Sequence, residues 1–165
     1  MNNQRIELPR YTDCFVCGSE NKAGFDVTFY VQNGRIETQF TPADHFCGFR
    51  DVTHGGVLAT ILDECMGWSC ILSRPIMCYT AEMTLRYRSH AIAGETLLVY
   101  GELVADKKRM IVARGGIERP NGELVCSGEG KYIPMPQEQF EQVVSYAGWD
   151  ERFQKVYEEI QQQVA

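Results

Sequence analysis

A chain of 165 residues is long enough for one domain with a substantial single core. Its 44% apolar and 23% charged residues describe an ordinary globular protein and argue against disorder. The formal net charge of −6 argues against a nucleic-acid footprint spread over the whole surface, while leaving room for a small basic pocket that takes a phosphorylated ligand.

The N-terminus, Met1 to Glu7, has no long apolar run, so no signal peptide is expected. No window approaches the roughly 20 apolar residues of a membrane span, so no membrane partner is expected either. The seven cysteines are an odd number scattered through apolar segments, which fits reduced thiols and a cytoplasmic location better than a disulfide framework. Cys14-Phe15-Val16-Cys17-Gly18 is a single C-x-x-C. A tetrahedral zinc needs two further ligands, and no second C-x-x-C or paired His supplies them. The segment therefore reads as two small residues packed in a tight turn, and neither metal nor cofactor is expected.

Phe25 to Gln32 and Arg35 to Phe40 alternate in hydrophobicity on either side of Asn33-Gly34, which predicts a hairpin. A polar loop with His45, Cys47 and Gly48 leads to Thr53-His54-Gly55-Gly56 and a nearly all-apolar run carrying Asp63-Glu64. That run predicts a helix from about Gly55 to about Ser73, buried on most of its circumference and closed by Pro75. Strands follow over Met77–Ser89, Glu95–Ala105, Arg109–Glu118 and Glu123–Ile133, turned by His90–Gly94, Asp106-Lys107-Lys108 and Pro120-Asn121-Gly122. Gly101, Gly115, Gly116, Gly128 and Gly130 inside the strands predict bulges or strong curvature. Beyond Pro136 the pattern turns helical: Trp149, Phe153, Val156, Tyr157, Ile160 and Val164 recur at helical spacing, with Asp150 as a candidate N-cap. One central helix wrapped by a curved antiparallel sheet is an α+β architecture.

A carboxylate in such a helix is costly unless paired or used. Asp63 shares its face with Ala59, Met66, Gly67 and Cys70, mostly small side chains that leave space for a substrate or another subunit. Glu64 lies about 100° round the helix, so the two acids cannot serve one water from the same direction. Asp63 is the leading candidate; Glu64, the second, is expected to pair with a basic group or to lie at a subunit seam. The first turn of a helix offers free N–H groups and a positive dipole end, and Gly55-Gly56 there lets a carbonyl approach the backbone. Lys107-Lys108-Arg109 reads either as a solvated hairpin tip or as a contact for phosphates. No Ser stands on a nucleophile elbow.

This order and these residues resemble the hotdog-fold acyl-CoA thioesterase superfamily, in particular its phenylacetate-pathway-like branch. His54-Gly55-Gly56 at the helix start, Asp63 nine residues after the His, the strand Thr80-Ala81-Glu82-Met83-Thr84-Leu85-Arg86-Tyr87 and Gly94-Glu95 carry the likeness. Cys14-Phe15-Val16-Cys17-Gly18 with Asn21 and Gly24 is similar to a segment preceding the domain in some bacterial members. The likeness covers about residues 14–133, which gives an N-terminal segment (1–24), a hotdog domain (25–133) and a C-terminal helical tail (134–165).

The resemblance implies hydrolysis of acyl-CoA thioesters in a homodimer or homotetramer. Asp63 matches the carboxylate that activates water or attacks the thioester carbonyl. Gly55 matches the residue whose N–H polarises the carbonyl oxygen, and His54 the one that positions the thioester and braces the loop. Thr80 falls where relatives place a hydroxyl near the attacking water, reached from a neighbouring chain. Gly56, Gly48, Lys107, Lys108 and Arg109 are candidate substrate contacts. Gly48 stands where many members carry an Asn or Gln, so a side-chain amide is missing there. A hydroxyacyl dehydratase on the same fold would need an acid near Thr60-Ile61, which is absent. A non-catalytic acyl-CoA-binding protein is the other alternative, and Asp63 argues against it.

Overall fold

In the computed structural model, which describes residues 5–164, Asn33 and Gly34 both take positive φ, 54° and 75°. This is the backbone a two-residue hairpin turn demands. The turn joins β2 (Tyr30–Gln32) to β3 (Arg35–Phe40). The first arm is shorter than its alternation predicts. Asp26 also has positive φ, 54°, which breaks the extended run, and the backbone before β2 pairs with the N-terminal segment instead. Phe25 and Val27 donate to the carbonyls of Phe15 and Val16, and Leu8 donates to Phe29. The short β1 (Ile6–Glu7) extends this pairing.

A small ribbon of β4 (Cys47–Phe49) and β5 (Val52–Thr53) leads into α1 (Gly55–Trp68), which continues as a 3-10 turn over Ser69–Leu72. Four strands follow: β6 (Cys78–Tyr87), β7 (Leu97–Asp106), β8 (Ile111–Glu118) and β9 (Leu124–Pro134). The seven-stranded antiparallel sheet has the order β1-β2-β3-β7-β8-β9-β6 and wraps α1. Leu58, Ile61, Leu62, Cys65 and Met66 of the helix are buried under it. By length and composition alone, Gly55–Leu72 (mean hydropathy 1.3) could be weighed as a membrane span, contrary to the expectation from the sequence. Its apolar residues instead form the centre of the core.

Of the bulges or strong curvature predicted for the strand glycines, the bulges do not fall on them. Gly101, Gly115 and Gly128 pair with one another in register across β7, β8 and β9, forming a row under the helix. A Cβ at Gly101 would lie 2.5 Å from the Cys65 carbonyl oxygen, and one at Gly115 would lie 2.9 Å from Met66 Cγ. Their lack of side chains lets helix and sheet backbones approach. The register shifts fall elsewhere, at Thr80/Glu82, Leu103/Ala105 and Ile117/Glu118.

The helix is less enclosed than its composition predicts. Val57, Ala59, Thr60, Asp63, Glu64 and Gly67 are only partly buried, and Gly56 is exposed. Strand β6 is an edge strand, and most of its residues are exposed.

The tail is two helices, α2 (Gln137–Tyr146) and α3 (Asp150–Val164), not one. Gly148, at φ 65°, breaks them apart. Trp149 and Phe153 are buried in the same core as Val16, Cys17 and Trp68, so the tail docks on its own domain. The Trp149 indole N–H donates to the Arg10 carbonyl at 3.2 Å.

Because Gly101 meets backbone, which cannot rotate away, Gly101→Ala should destabilise the protein by about 1–3 kcal/mol or more. Urea unfolding measures this; a stability equal to wild type would mean that the helix does not press on this strand.

Candidate active site

The start of α1 is built by His54. Its N–H donates to the Phe46 carbonyl at 2.8 Å, and its ring Nδ1 accepts the Gly56 N–H at 2.9 Å, capping the helix. Gly48 lies flat against the His54 ring: a Cβ there would be 2.9 Å from His54 Cδ2. A larger residue would displace the ring, so in this chain Gly48 supports His54. With Gly56 engaged by the imidazole, the Gly55 N–H is left without an acceptor among the described residues. The Gly55 carbonyl accepts the Tyr87 hydroxyl at 2.8 Å, and Gly55, Leu58, Tyr87 and Ala91 border a cavity of about 330 Å³.

Asp63 stands two turns further along. Thr80 Oγ1 donates to its Oδ1 at 2.9 Å and the Tyr132 hydroxyl donates to the same oxygen at 3.2 Å. Thr80 and Tyr132 are direct partners across β6 and β9, so the sheet register aims two hydroxyls at one carboxylate oxygen. Oδ2 has no hydrogen-bond donor among the described residues. Burial, and then the nearby Asp63 charge, push the Tyr132 phenol up, so it stays protonated as a donor. Asp63 opens on a second cavity of about 370 Å³, walled by Trp68, Met77, Tyr132 and Trp149.

Thr80 therefore reaches Asp63 within one chain, not from a neighbour as the resemblance implied, because β6 runs alongside α1 in the same protomer. Gly55 and Asp63 do not meet within that protomer. Eight residues at about 1.5 Å of rise separate them by about 12 Å along the helix, and they border different cavities.

Glu64 also departs from expectation: no basic side chain pairs with it among the described residues. It points at the C-x-x-C loop, with Cys14 Sγ 3.6 Å from Oε1. Burial pushes the Glu64 carboxyl up to about 8. Hydrogen bonds from the Cys17 thiol and from the Cys17 and Val16 N–H groups hold Cys14 down, at about 5. Lys107, Lys108 and Arg109 form the exposed β7–β8 tip, where Arg74 bridges Asp106 and the Lys108 carbonyl; they line neither cavity.

Tyr132, the bond from Tyr87 to Gly55 and the link between Glu64 and the C-x-x-C were not identified from the sequence. Alternation along β9 places Tyr132 inward, and a buried phenol needs a partner, but alternation does not say which acid it meets.

A helix wrapped by a single antiparallel sheet, with an acid at mid-helix and a free N–H at its start, defines a hotdog domain. Residues 51–126 match the family model of the thioesterase superfamily, and the chain has the hotdog fold. Among solved structures, a thioesterase superfamily protein is 26% identical at a TM-score of 0.67, over 74% of this chain; the chain spans 60% of that protein. A hypothetical thioesterase from Streptococcus pneumoniae TIGR4, solved with coenzyme A, is 20% identical at a TM-score of 0.59, covering 64% of this chain and 84% of that one. The Escherichia coli PaaI protein from the phenylacetic acid degradation operon is 18% identical at a TM-score of 0.62, covering 68% and 81%. No curated protein matches the chain.

Tyr132→Phe removes one of two donors to a partly buried charged acceptor. It should lower stability by about 1.5–3 kcal/mol, the range for hydrogen bonds to charged groups. Unchanged urea unfolding would show that the phenol does not hold the carboxylate.

Proposed function

We propose that the protein hydrolyses acyl-CoA thioesters in a site shared between two copies of the chain. One observation carries this reading: α1 holds a free N–H at Gly55 and an oriented acid at Asp63 that are too far apart to act on the same carbonyl. In a two-fold dimer with antiparallel α1 helices, Gly55 of one copy faces Asp63 of the other, twice over. The partly buried small-residue face of α1 and the ten-residue edge strand β6 suit such an interface. Tyr79 and Tyr87 on that strand are each 50% exposed in the single chain.

In this reading the thioester oxygen accepts the Gly55 N–H, with the helix dipole stabilising the negative charge that develops there. Asp63 Oδ2 either takes a proton from the attacking water or attacks the carbonyl itself, while Thr80 and Tyr132 hold Oδ1. When water attacks, collapse of the tetrahedral intermediate expels the CoA thiolate, which takes up the proton Asp63 accepted, and leaves the free acid. When Asp63 attacks, collapse expels the thiolate and leaves a mixed anhydride that water then hydrolyses to the free acid and the Asp63 carboxylate. Trp68, Met77 and Trp149 supply apolar walls for the acyl group. The match to the thioesterase superfamily model and the coenzyme A bound to the streptococcal structure support the substrate class.

Thiol release from a panel of acyl-CoAs tests the reaction. Asp63→Asn should lower kcat about 10²–10⁴-fold, and a rate equal to wild type would refute the assignment. Gly55→Pro removes the N–H at a first helical position where proline fits, and should cost about 10²–10³-fold. The two inactive variants, mixed and re-equilibrated, should recover up to about a quarter of wild-type activity, because each mixed dimer regains one intact site. No recovery despite confirmed mixed dimers would refute the shared site. Light scattering that finds only monomer at micromolar concentration would do the same.

A further inference from the structure

The C-x-x-C loop and Glu64 form a cluster that the hydrolytic chemistry leaves unused. The loop is wound so that both sulfurs converge. The Val16 and Cys17 N–H groups point at Cys14 Sγ, at 3.3 and 3.5 Å, and the Gly18 N–H donates to the Cys14 carbonyl at 3.0 Å. Only glycine closes this turn, since a Cβ at residue 18 would lie 2.3 Å from the Cys14 oxygen and 2.5 Å from the Thr12 oxygen. Backbone N–H groups aimed at a sulfur favour its thiolate, the form that binds metal. From the other side, α1 presents the Glu64 carboxylate. One ligand atom from each of Cys14, Cys17 and Glu64 lies within 4.8 Å of the others.

We propose that Cys14, Cys17 and Glu64 bind one divalent cation of the zinc class, with the fourth coordination position open to the cavity that Asp63 borders. The donor set selects the ion. Two sulfurs exclude calcium and magnesium, which take oxygen ligands, whereas two thiolates and a carboxylate suit zinc. Zinc–ligand lengths of about 2.0–2.3 Å require only small side-chain rotations from the observed spread. The cation also answers the question that Glu64 poses: a carboxylate with no basic partner among the described residues gains a counter-charge. The requirement for four ligands, which ruled out zinc on the sequence, is met by a residue from a distant helix and by one exogenous ligand. Three protein ligands plus an open position is the coordination of zinc sites that admit water or a substrate oxygen. The same ion ties the N-terminal segment to α1.

The site stands apart from the hydrolysis proposal, because metal content is read without any activity. The reduced full-length chain, equilibrated with zinc and passed through a desalting column, should retain about one zinc per chain. With cobalt in place of zinc, the spectrum should show an intense thiolate-to-cobalt charge-transfer band and the visible bands of a four-coordinate ion. Cys14→Ser and Cys17→Ser should each lower that charge-transfer intensity by about half, for one thiolate lost of two, and weaken zinc binding at least about tenfold. Glu64→Gln should weaken zinc binding similarly while keeping the full thiolate band under saturating cobalt. Cys47→Ser, a partly exposed cysteine outside the cluster, serves as the control. Wild-type protein that retains no zinc, or a cobalt complex without a thiolate band, would overturn the proposal even if the serine variants failed to fold. So would a control variant that loses metal as fully as Cys14→Ser.

Discussion

The close seating of α1 on the glycine row of the sheet is the contact on which the other features depend. With Gly101 under the Cys65 carbonyl and Gly115 under Met66, the helix backbone rides lower than a sheet of ordinary side chains would allow. At that height the β9 phenol of Tyr132 reaches Asp63. The same contact buries Ile61, Leu62, Cys65 and Met66, so the residues that stabilise the domain also hold the candidate acid in place.

One consequence is that the two carboxylates of α1 have separate environments. Asp63 is held by hydroxyls from two paired strands, which fix one oxygen and leave the other without a donor among the described residues. Glu64, one residue on, faces thiols and pairs with no basic side chain among the described residues, and burial raises its proton affinity. Neighbours in sequence thus differ in chemistry because a helix turns each residue toward a different part of the fold.

The segments outside the sheet complete the cavity. Tyr11, Cys14 and Cys17 come from the N-terminal segment and Val143 and Trp149 from the tail, so one wall of the pocket beside Asp63 is made by residues far apart in the chain. Trp149 is held there by its bond to the Arg10 carbonyl and by edge packing on Tyr11, with ring centroids 5.9 Å apart. An N-terminal turn and a C-terminal helix pair that carry no conspicuous catalytic pattern nevertheless shape the space a ligand would enter.

The sequence by itself determined the order of hairpin, central helix and the four strands after it, the Asn-Gly turn, the helix that starts at His54-Gly55-Gly56, and the prominence of Asp63. Each of these follows from local periodicity, turn chemistry or an acid placed in an apolar run. Only the tertiary structure decided that Thr80 and Tyr132 share one oxygen of Asp63, since that depends on the register of two strands separated by two others in sequence. It also decided that the strand glycines seat a helix where bulges were expected, and that Glu64 meets Cys14 and Cys17. Such contacts join residues some 50 positions apart, and neither periodicity nor spacing along the chain carries information about distances across a folded core.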